Sequence, residues 1–496
     1  MRHRITTFGY RRWLITGLGI GQALGLRTKV AIGVAIMLVS FATKSLQAVD
    51  LAPVMYTADQ PFGGLTQTYD LRAVSILEGQ GILGPYDVNR SRTVWLAQAP
   101  GYSIFLSAVY RFSGRHFLRV QLIQNLVNSL SPILLFVIAG LVVSWRVGSA
   151  SGLLAGISHH LSHISNFILP DSITALPLLA AILMLALAYR RRSDSWLLWA
   201  GAGLMLGGAA WLRSQLMLSG LFLAGVMIVI AVRRRRMLKQ AALLAFTTIL
   251  AIAPITVRNY LVYGAFVPIN IGLGVVLWEG IADASGDRFG AVAKDDQVAI
   301  QEAALYDNPR YAGSWSTPDG IERDRDRVAK SLEIIRCHPI WYAGVMLRRI
   351  RGMLKYSADA PLVFKFSEVS SRRRMLPLKP EWESLATDES SLEVGRTVFW
   401  FRPIIRSLQR LVKEPMLYLI LVGAGIIGAA SFRRALFLGM TPLYYFLFQS
   451  FMHTEFRYTL PMQYFMFVFA AVLWVLAISG SRKGLVLLWR RFHLAT

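Results

Sequence analysis

Three carboxylates and three guanidinium groups lie in or beside the breaks between apolar stretches of this chain. Asp59 and Asp70 lie in the polar stretch after the first apolar run, and Asp171 stands alone in "FILPDSITALPLL". Carboxylates gathered over a cavity can take a proton from an incoming hydroxyl or amine. An isolated Asp can equally cap a helix, and Ser172 and Thr174 beside Asp171 fit that reading as well. Arg213 in "WLRSQL", Arg258 in "VRNY" and Arg457 in "EFRYTLP" each open or close an apolar run. One such arginine snorkels to the headgroups. Three at equal depth point to a shared anion, because the planar guanidinium donates two parallel charge-assisted hydrogen bonds to a phosphate.

Other polar residues carry weaker signals. His159 and His163 in "SHHLSHIS" are four apart and share a helix face, with His160 between them. A metal site needs a third ligand and a supporting shell, so polar packing is the expected role. His453 and Glu455 stand beside Arg457, a better place for chemistry. "PGY" at 100–102 is a turn with an aromatic anchor in Tyr102, and Trp278, Trp315 and Trp341 suit either an interfacial or a sugar-stacking role. No acidic pair demands a divalent metal and no cofactor is required by the sequence. Walker loops, dinucleotide-binding glycine patterns and HExxH are absent from it.

The elements that position these residues are membrane helices. The chain has 496 residues, is 54% hydrophobic and 16% charged, and has a mean hydropathy of +0.46. That balance describes a polytopic membrane protein. Net charge is +25, gathered in short knots rather than on a basic domain, so nucleic acid is not a partner. The single cysteine, Cys337, excludes an intramolecular disulfide.

About ten spans of roughly 20 apolar residues are legible. They run over 29–49, 119–144, 149–168, 172–189, 195–212, 215–232, 239–260, 415–432, 435–452 and 458–479. With the N-terminus cytoplasmic, Arg146, Arg190 to Arg192, Arg233 to Arg236, Arg433 with Arg434, and Arg482 with Lys483 all fall on the cytoplasmic side.

The expected organisation is a basic amphipathic N-terminus (1–28) and a helical module (29–260) with a first external loop at 50–118. A second external loop with interfacial helices follows (261–414), then C-terminal spans (415–479) and a cytoplasmic tail (480–496). "YRRWLITGLGIGQALGL" carries a twin arginine but no small-residue cleavage site, which favours a surface-lying segment over a signal. "YDLRAVSILEGQG" reads as a short amphipathic helix, and "APGYSIFLSAVYRFSG" as interfacial or re-entrant. "DRDRVAKSLEIIRCHPIWYAGVMLRRIRGMLKY" reads as a helix, a His-Pro break and a basic surface helix, and 370–391 as irregular.

Taken in order, "YDLRAVSILEGQGI", "APGYSIFLSAVYRFSG", "LPDSITALPLLAAILMLALA", "APITVRNYLVYGAFVPINIGLGVVLWEG", "ERDRDRVAKSLEIIRCHPIWY" and "FRYTLPMQYF" resemble the GT-C superfamily of polytopic glycosyltransferases. The branch resembled is the bacterial one related to protein O-mannosyltransferases and the lipid A aminoarabinose transferase. The P-x-x-x-RN-Y…G-x-F-V-P and RY-x-x-P segments are the most specific.

The resemblance implies an all-α GT-C-like bundle in a bacterial inner membrane, both termini cytoplasmic and the active site extracytoplasmic. It implies a polyprenyl-phosphate-linked sugar donor and an envelope glycan, lipid or protein acceptor. It further implies an Asp base (Asp70, Asp59 or Asp171) and phosphate-binding Arg258, Arg457 and Arg213. Tyr69, Asn259, Glu279, Tyr102 and Tyr458 are the implied substrate-binding residues. The chain departs from the family at "GGLTQTY", where a carboxylate is usual about four residues before the tyrosine matching Tyr69. It departs again at Glu279-Gly280, where Gly-Asn is usual. A non-enzymatic lipid-linked carrier and an inactive relative are the rival readings. A carrier exposes its site to both sides, yet nothing on the cytoplasmic face looks like half a site.

Overall fold

The computed structural model describes residues 17–55, 63–79, 86–87, 92–93, 96–191, 195–230, 234–317, 319–354, 404, 407 and 416–493. Helices dominate: apart from one antiparallel two-residue pair, Tyr86–Asp87 with Arg92–Thr93, no strand occurs among the described residues. Four helical stretches are long and apolar enough to cross a membrane: Leu26–Val49, Phe117–Val142, Met237–Tyr263 and Phe456–Gly480. Shorter apolar helices, Ala175–Arg190, Trp196–Leu212, Ser214–Ile230 and Met416–Ala430, pack among them. The protein is an all-α polytopic membrane protein.

In chain order α1 is Leu26–Met55 and α2 Gly63–Leu77, the amphipathic segment. The apolar segment after "AP" is α3, Gly101–Ser113; its 13 residues extend about 20 Å, too short to cross. The second span is two helices in tandem, α4 (Phe117–Asn128) and α5 (Leu130–Val142). The third apolar stretch is also divided, into α6 (Trp145–Gly156) and α7 (His159–Ile164), where the Ser158 side chain accepts from the Leu161 amide and caps α7. Then follow α8 (Ala175–Arg191), α9 (Trp196–Leu212), α10 (Ser219–Ile230) and α11 (Arg234–Tyr263).

Small residues set the α9–α11 approach. Gly203 and Gly207 are spaced as GxxxG, the pattern that lets two membrane helices meet backbone to backbone. A Cβ on Gly203 would lie 2.0 Å from Thr247 Oγ1, and one on Gly207 2.3 Å from the Ala251 Cβ. Trp211 locks the same pair by donating to the Ala251 carbonyl at 2.8 Å, just before the helix-internal Pro254. Because Arg213 follows α9 and Arg258 lies in the last turns of α11, this contact sets the relative depth of the two arginines. Gly207→Val is expected to push the helices apart and cost about 1–3 kcal/mol, the scale of an overpacked core. A thermal melt in detergent checks it; an unchanged melting temperature contradicts the packing described.

The stretch expected to form the second external loop begins with helices: α12 (Leu273–Ser285), α13 (Asp295–Leu305), α14 (Gly320–Cys337) and, after the break at His338, α15 (Pro339–Leu354). They have a core of their own, with Val275, Trp278, Ile281, Val298, Tyr342 and Val345. A buried charge cluster ties α13 to α14, where Glu302 is shared by Arg323 and Arg327. The irregular stretch expected at 370–391 and Asp59 lie outside the described residues, as do residues 1–16 of the N-terminal basic segment. Of its remainder, Leu18 is buried in the helical core and the Gly17 carbonyl accepts from Ser479 at 2.9 Å. The chain closes with α16 (Met416–Ala430), α17 (Phe432–Tyr444) and α18 (Leu460–His493).

Candidate active site

The arrangement is best built from Tyr458. It sits in the single turn Phe456–Thr459 that leads into α18, and its ring is flanked by two cations. The Arg213 guanidinium carbon lies 4.8 Å from the ring centroid and that of Arg457 4.9 Å. Gln215 fixes this meeting by donating to the Tyr458 carbonyl at 3.0 Å, while Tyr444 donates to the Gln215 carbonyl at 2.5 Å. Asp171 pairs with Arg213 and is only 2% exposed. Arg457 in turn is held by Glu455, at 2.5 Å from its Nε and 3.2 Å from the second nitrogen.

The loop that carries Asp171 is held from below by α4. Gln124 donates to the carbonyls of Ser165 and Phe167 at 2.8 Å each, and Gln121 to that of Asn166 at 2.8 Å. Gln124 also accepts from the Tyr102 hydroxyl at 2.7 Å, and Tyr102 meets Tyr69 edge-on at 5.1 Å. Tyr102 is fully buried, so it supports Tyr69 from beneath rather than facing an open site. Burial raises the Tyr69 phenol above its usual range, and the charges of Arg213, Arg72 and Arg457 act on it in the opposite sense. Tyr69 therefore stands within the field of all three.

Two expected participants lie elsewhere. Asp70 accepts from the Tyr110 hydroxyl at 2.7 Å and pairs with Arg115, so it ties α2 to α3 and the turn after it. Arg258 makes its hydrogen bonds inside α11, to Asn259 at 2.9 Å and to the Tyr263 hydroxyl at 3.0 Å. Arg72, itself buried, lies within electrostatic reach of the same Tyr263 and bonds Gln98 at 3.3 Å, so buried basic groups run from α2 toward α11. Asn259 donates to the carbonyls of Val267 and Ile269 at 2.9 Å each, closing the turn through Gly264, whose φ is 66°. An Asn at the end of this span thus turns the chain back on itself and presents Arg258 beside it.

A second layer joins α12 to the loop before α18. His453 pairs with Asp283 through Nδ1 and lies 3.6 Å from Glu455 through Nε2. Burial works against a charged His453, but hydrogen bonds to Asp283 and Glu455 outweigh it and raise the imidazole to about 9. Burial likewise pushes Glu455 up, yet His453 and Arg457 hold it down at about 2. Glu279 is half-buried beside them, raised to about 7 by burial with His453 opposing.

Arg72, Arg115, Gln121, Gln124 and Lys44 were not read as significant in the sequence. Lys44 is buried within α1, hydrogen-bonded to Ser40, and its backbone carbonyl receives Asn166 at 3.2 Å. An ionisable residue inside an apolar span was the available signal. The three histidines lie just beneath the site: His159 and His163 rings are 5.8 Å apart, and His160 packs on Phe456 at 5.2 Å. No group of three or more His, Cys, Asp or Glu suited to a metal occurs among the described residues.

Residues 97–257 match the family of dolichyl-phosphate-mannose-protein mannosyltransferases. The match takes in Tyr102, Asp171 and Arg213 and ends one residue before Arg258, and it bears out the GT-C resemblance of the motifs. Over those residues the chain is similar to a glycosyltransferase family, and its apolar helices make it integral to a membrane.

No curated protein matches the sequence. Among solved structures, the apo oligosaccharyltransferase of Archaeoglobus fulgidus is similar at 14% identity and a TM-score of 0.48, over 94% of this chain and 52% of that one. The AglB oligosaccharyltransferase of the same organism, in complex with an inhibitory peptide and a dolichol-phosphate, gives the same values: 14%, 0.48, 94% and 52%. Its complex with zinc and sulfate gives 13% identity and a TM-score of 0.43, over 88% and 49%. The chain spans about half the length of these proteins.

Proposed function

We propose that the protein is a glycosyltransferase that takes a sugar from a polyprenyl-phosphate donor and transfers it to an envelope glycan, lipid or protein on the extracytoplasmic face of a bacterial inner membrane. The observation that carries this reading is the pairing of Arg213 and Arg457 across Tyr458, with Asp171 set against Arg213. A phosphate leaving group gains negative charge as the glycosidic bond breaks, and preorganised guanidinium groups stabilise that charge where it develops. Tyr69 and Tyr458 supply rings and hydroxyls to a sugar. Arg258 and Arg72 offer a second basic point for the donor phosphate on its way in.

An apolar groove supports a lipid-linked donor. It has a volume of about 310 Å³ between α10 and α17, lined by Leu221, Phe222, Gly225, Val226, Val229 and Leu436. Phe222 packs on Tyr444, which bonds the Gln215 that bonds Tyr458, so a chain of contacts links the groove lining to the arginine pair. A polyprenyl chain lies there with its phosphate at Arg213 and Arg457.

Two features test this together. Purified protein in lipid is expected to release polyprenyl phosphate from at least one member of a panel of polyprenyl-phosphate sugars. Gly225, whose added Cβ would meet nothing within 4 Å, gives a way to fill the groove. Gly225→Trp is expected to raise KM for a long-chain donor about tenfold while leaving a short-chain analogue unchanged, each tenfold being about 1.4 kcal/mol. Equal KM values for both donors would remove the groove from the account.

A further inference from the structure

We infer that Glu279 is the proton acceptor for the incoming hydroxyl, presented by α12 beside His453; the inference rests on the glycosyl-transfer reading above. That reaction needs a carboxylate able to take a proton, and the usual first-loop position is empty of one in "GGLTQTY". A carboxylate held by a guanidinium is a poor proton acceptor, because its partner favours the charged form. Among the described carboxylates that are not exposed, Asp70 is held by Arg115, Asp171 by Arg213, Glu302 by Arg323 and Arg327, Asp324 by Arg327, and Glu455 by Arg457. Glu279 alone of this group makes no hydrogen bond or ion pair with a described residue.

Its placement is fixed by the backbone. Val276, Glu279, Gly280 and Asp283 follow one another at helical spacing and share a face of α12. The loop before α18 is pressed against that face: the His453 amide donates to the Val276 carbonyl at 3.0 Å, and a Cβ on Gly280 would lie 2.8 Å from the His453 nitrogen. From His453 the contacts run through Glu455 to Arg457 and Tyr458. At the far side of Tyr458, Asp171 Oδ2 and Arg213 Nε are buried with no partner among the described residues. Buried polar atoms without a hydrogen bond mark the Asp171–Arg213 pair as a place for a polar group of a ligand.

The step balances without a co-reactant. The acceptor hydroxyl gives its proton to Glu279 as its oxygen bonds the anomeric carbon. The bond from that carbon to the phosphate oxygen breaks, and its electron pair leaves with the polyprenyl phosphate, whose added negative charge falls to Arg457 and Arg213. Glu279 then returns its proton to water.

The groups facing Glu279 are His453 and Glu455 from the loop, Asp283 from its own helix, Asp295 from α13, and Arg349 from α15, which bonds the Gly280 carbonyl. Burial sets Glu279 at about 7, with His453 opposing and Asp295, Asp283 and Glu455 adding. A base must be deprotonated, so activity falls as pH drops through that value. Removing the His453 cation raises Glu279 further and moves the acid limb to higher pH.

The test uses the full chain in lipid, with dolichyl-phosphate mannose and other polyprenyl-phosphate hexoses and pentoses as donors. It reads polyprenyl-phosphate release and, separately, donor binding. Glu279→Gln is expected to lose about 10²- to 10⁴-fold in kcat, to keep its donor Kd and to lose the acid limb. His453→Gln is expected to shift the midpoint of the limb upward, whatever its plateau rate. A Glu279→Gln protein with wild-type rate and limb overturns the assignment while leaving glycosyl transfer intact. Should Glu279→Gln fail to fold, Glu279→Asp and His453→Gln decide: a lowered kcat in the first and a raised limb in the second support the base, and no change in either overturns it. A wild-type protein that releases nothing from any donor overturns both the transfer reading and the base.

Discussion

Arg457→Ala is expected to lower the kcat for transfer by about 10²- to 10³-fold, the scale for removing one donor that stabilises charge formed in the transition state. Arg457 is 5% exposed and is oriented by Glu455 and the Tyr458 hydroxyl, so it is fixed before a ligand arrives. Such a group costs nothing to reorganise during reaction. Arg457→Lys is expected to recover only part of the loss, since an ammonium group reproduces the charge but not the fork. Arg258→Ala is expected to act more on KM than on kcat, because Arg258 makes its bonds within α11 rather than with the arginine pair. Steady-state kinetics of polyprenyl-phosphate release separate the two. Equal kcat losses at both positions would merge the two basic points into one phosphate site.

The second large effect concerns Asp171. Asp171→Asn leaves Arg213 without its counter-charge in a place where the Arg213 side chain is only 20% exposed. Removing one partner of a buried pair costs about 3–5 kcal/mol, an upper figure here because Arg213 keeps some contact with solvent. The expected result is a clear drop in melting temperature together with a transfer rate lowered about 100-fold. Arg213 then has no fixed orientation toward the leaving phosphate, and the scale is that of one lost donor. The double variant Asp171→Asn with Arg213→Gln is expected to regain stability but not activity, since it removes the orphaned charge and the phosphate contact together. Recovered transfer in the double variant would make the pair a structural tie only.

How much of this was legible in the sequence follows from which interactions are local. The long spans declare themselves by apolar length, and the basic knots between them give the orientation expected for the N-terminus. The break between α14 and α15 is written as His338-Pro339, because Pro339 cannot donate to a continuing helix. The third apolar stretch hid its division, since Ser158 is a weak breaker within an otherwise apolar run.

The site was half legible. Arg213, Asp171, Arg457 and Tyr458 stood out by type and by depth along the spans, and the structure brings them together. Asp70 stood out equally, but its partner Arg115 lies 45 residues away, and no periodicity links the two. His453 and Asp283 are 170 residues apart, and Gln124 reaches its carbonyl partners across a helix boundary. Such pairs are made only by tertiary packing. Arg72 was passed over because it reads as one more charge in an amphipathic helix, although it is 4% exposed.

The most direct measurement is the release of polyprenyl phosphate by purified protein in lipid, wild type beside Arg457→Ala, with dolichyl-phosphate mannose and a range of polyprenyl-phosphate sugars offered in turn. Release by the wild type from at least one donor, lost in the Arg457 variant while the protein stays folded, is the result this account predicts. No release from any donor, or equal release by the two proteins, would contradict it.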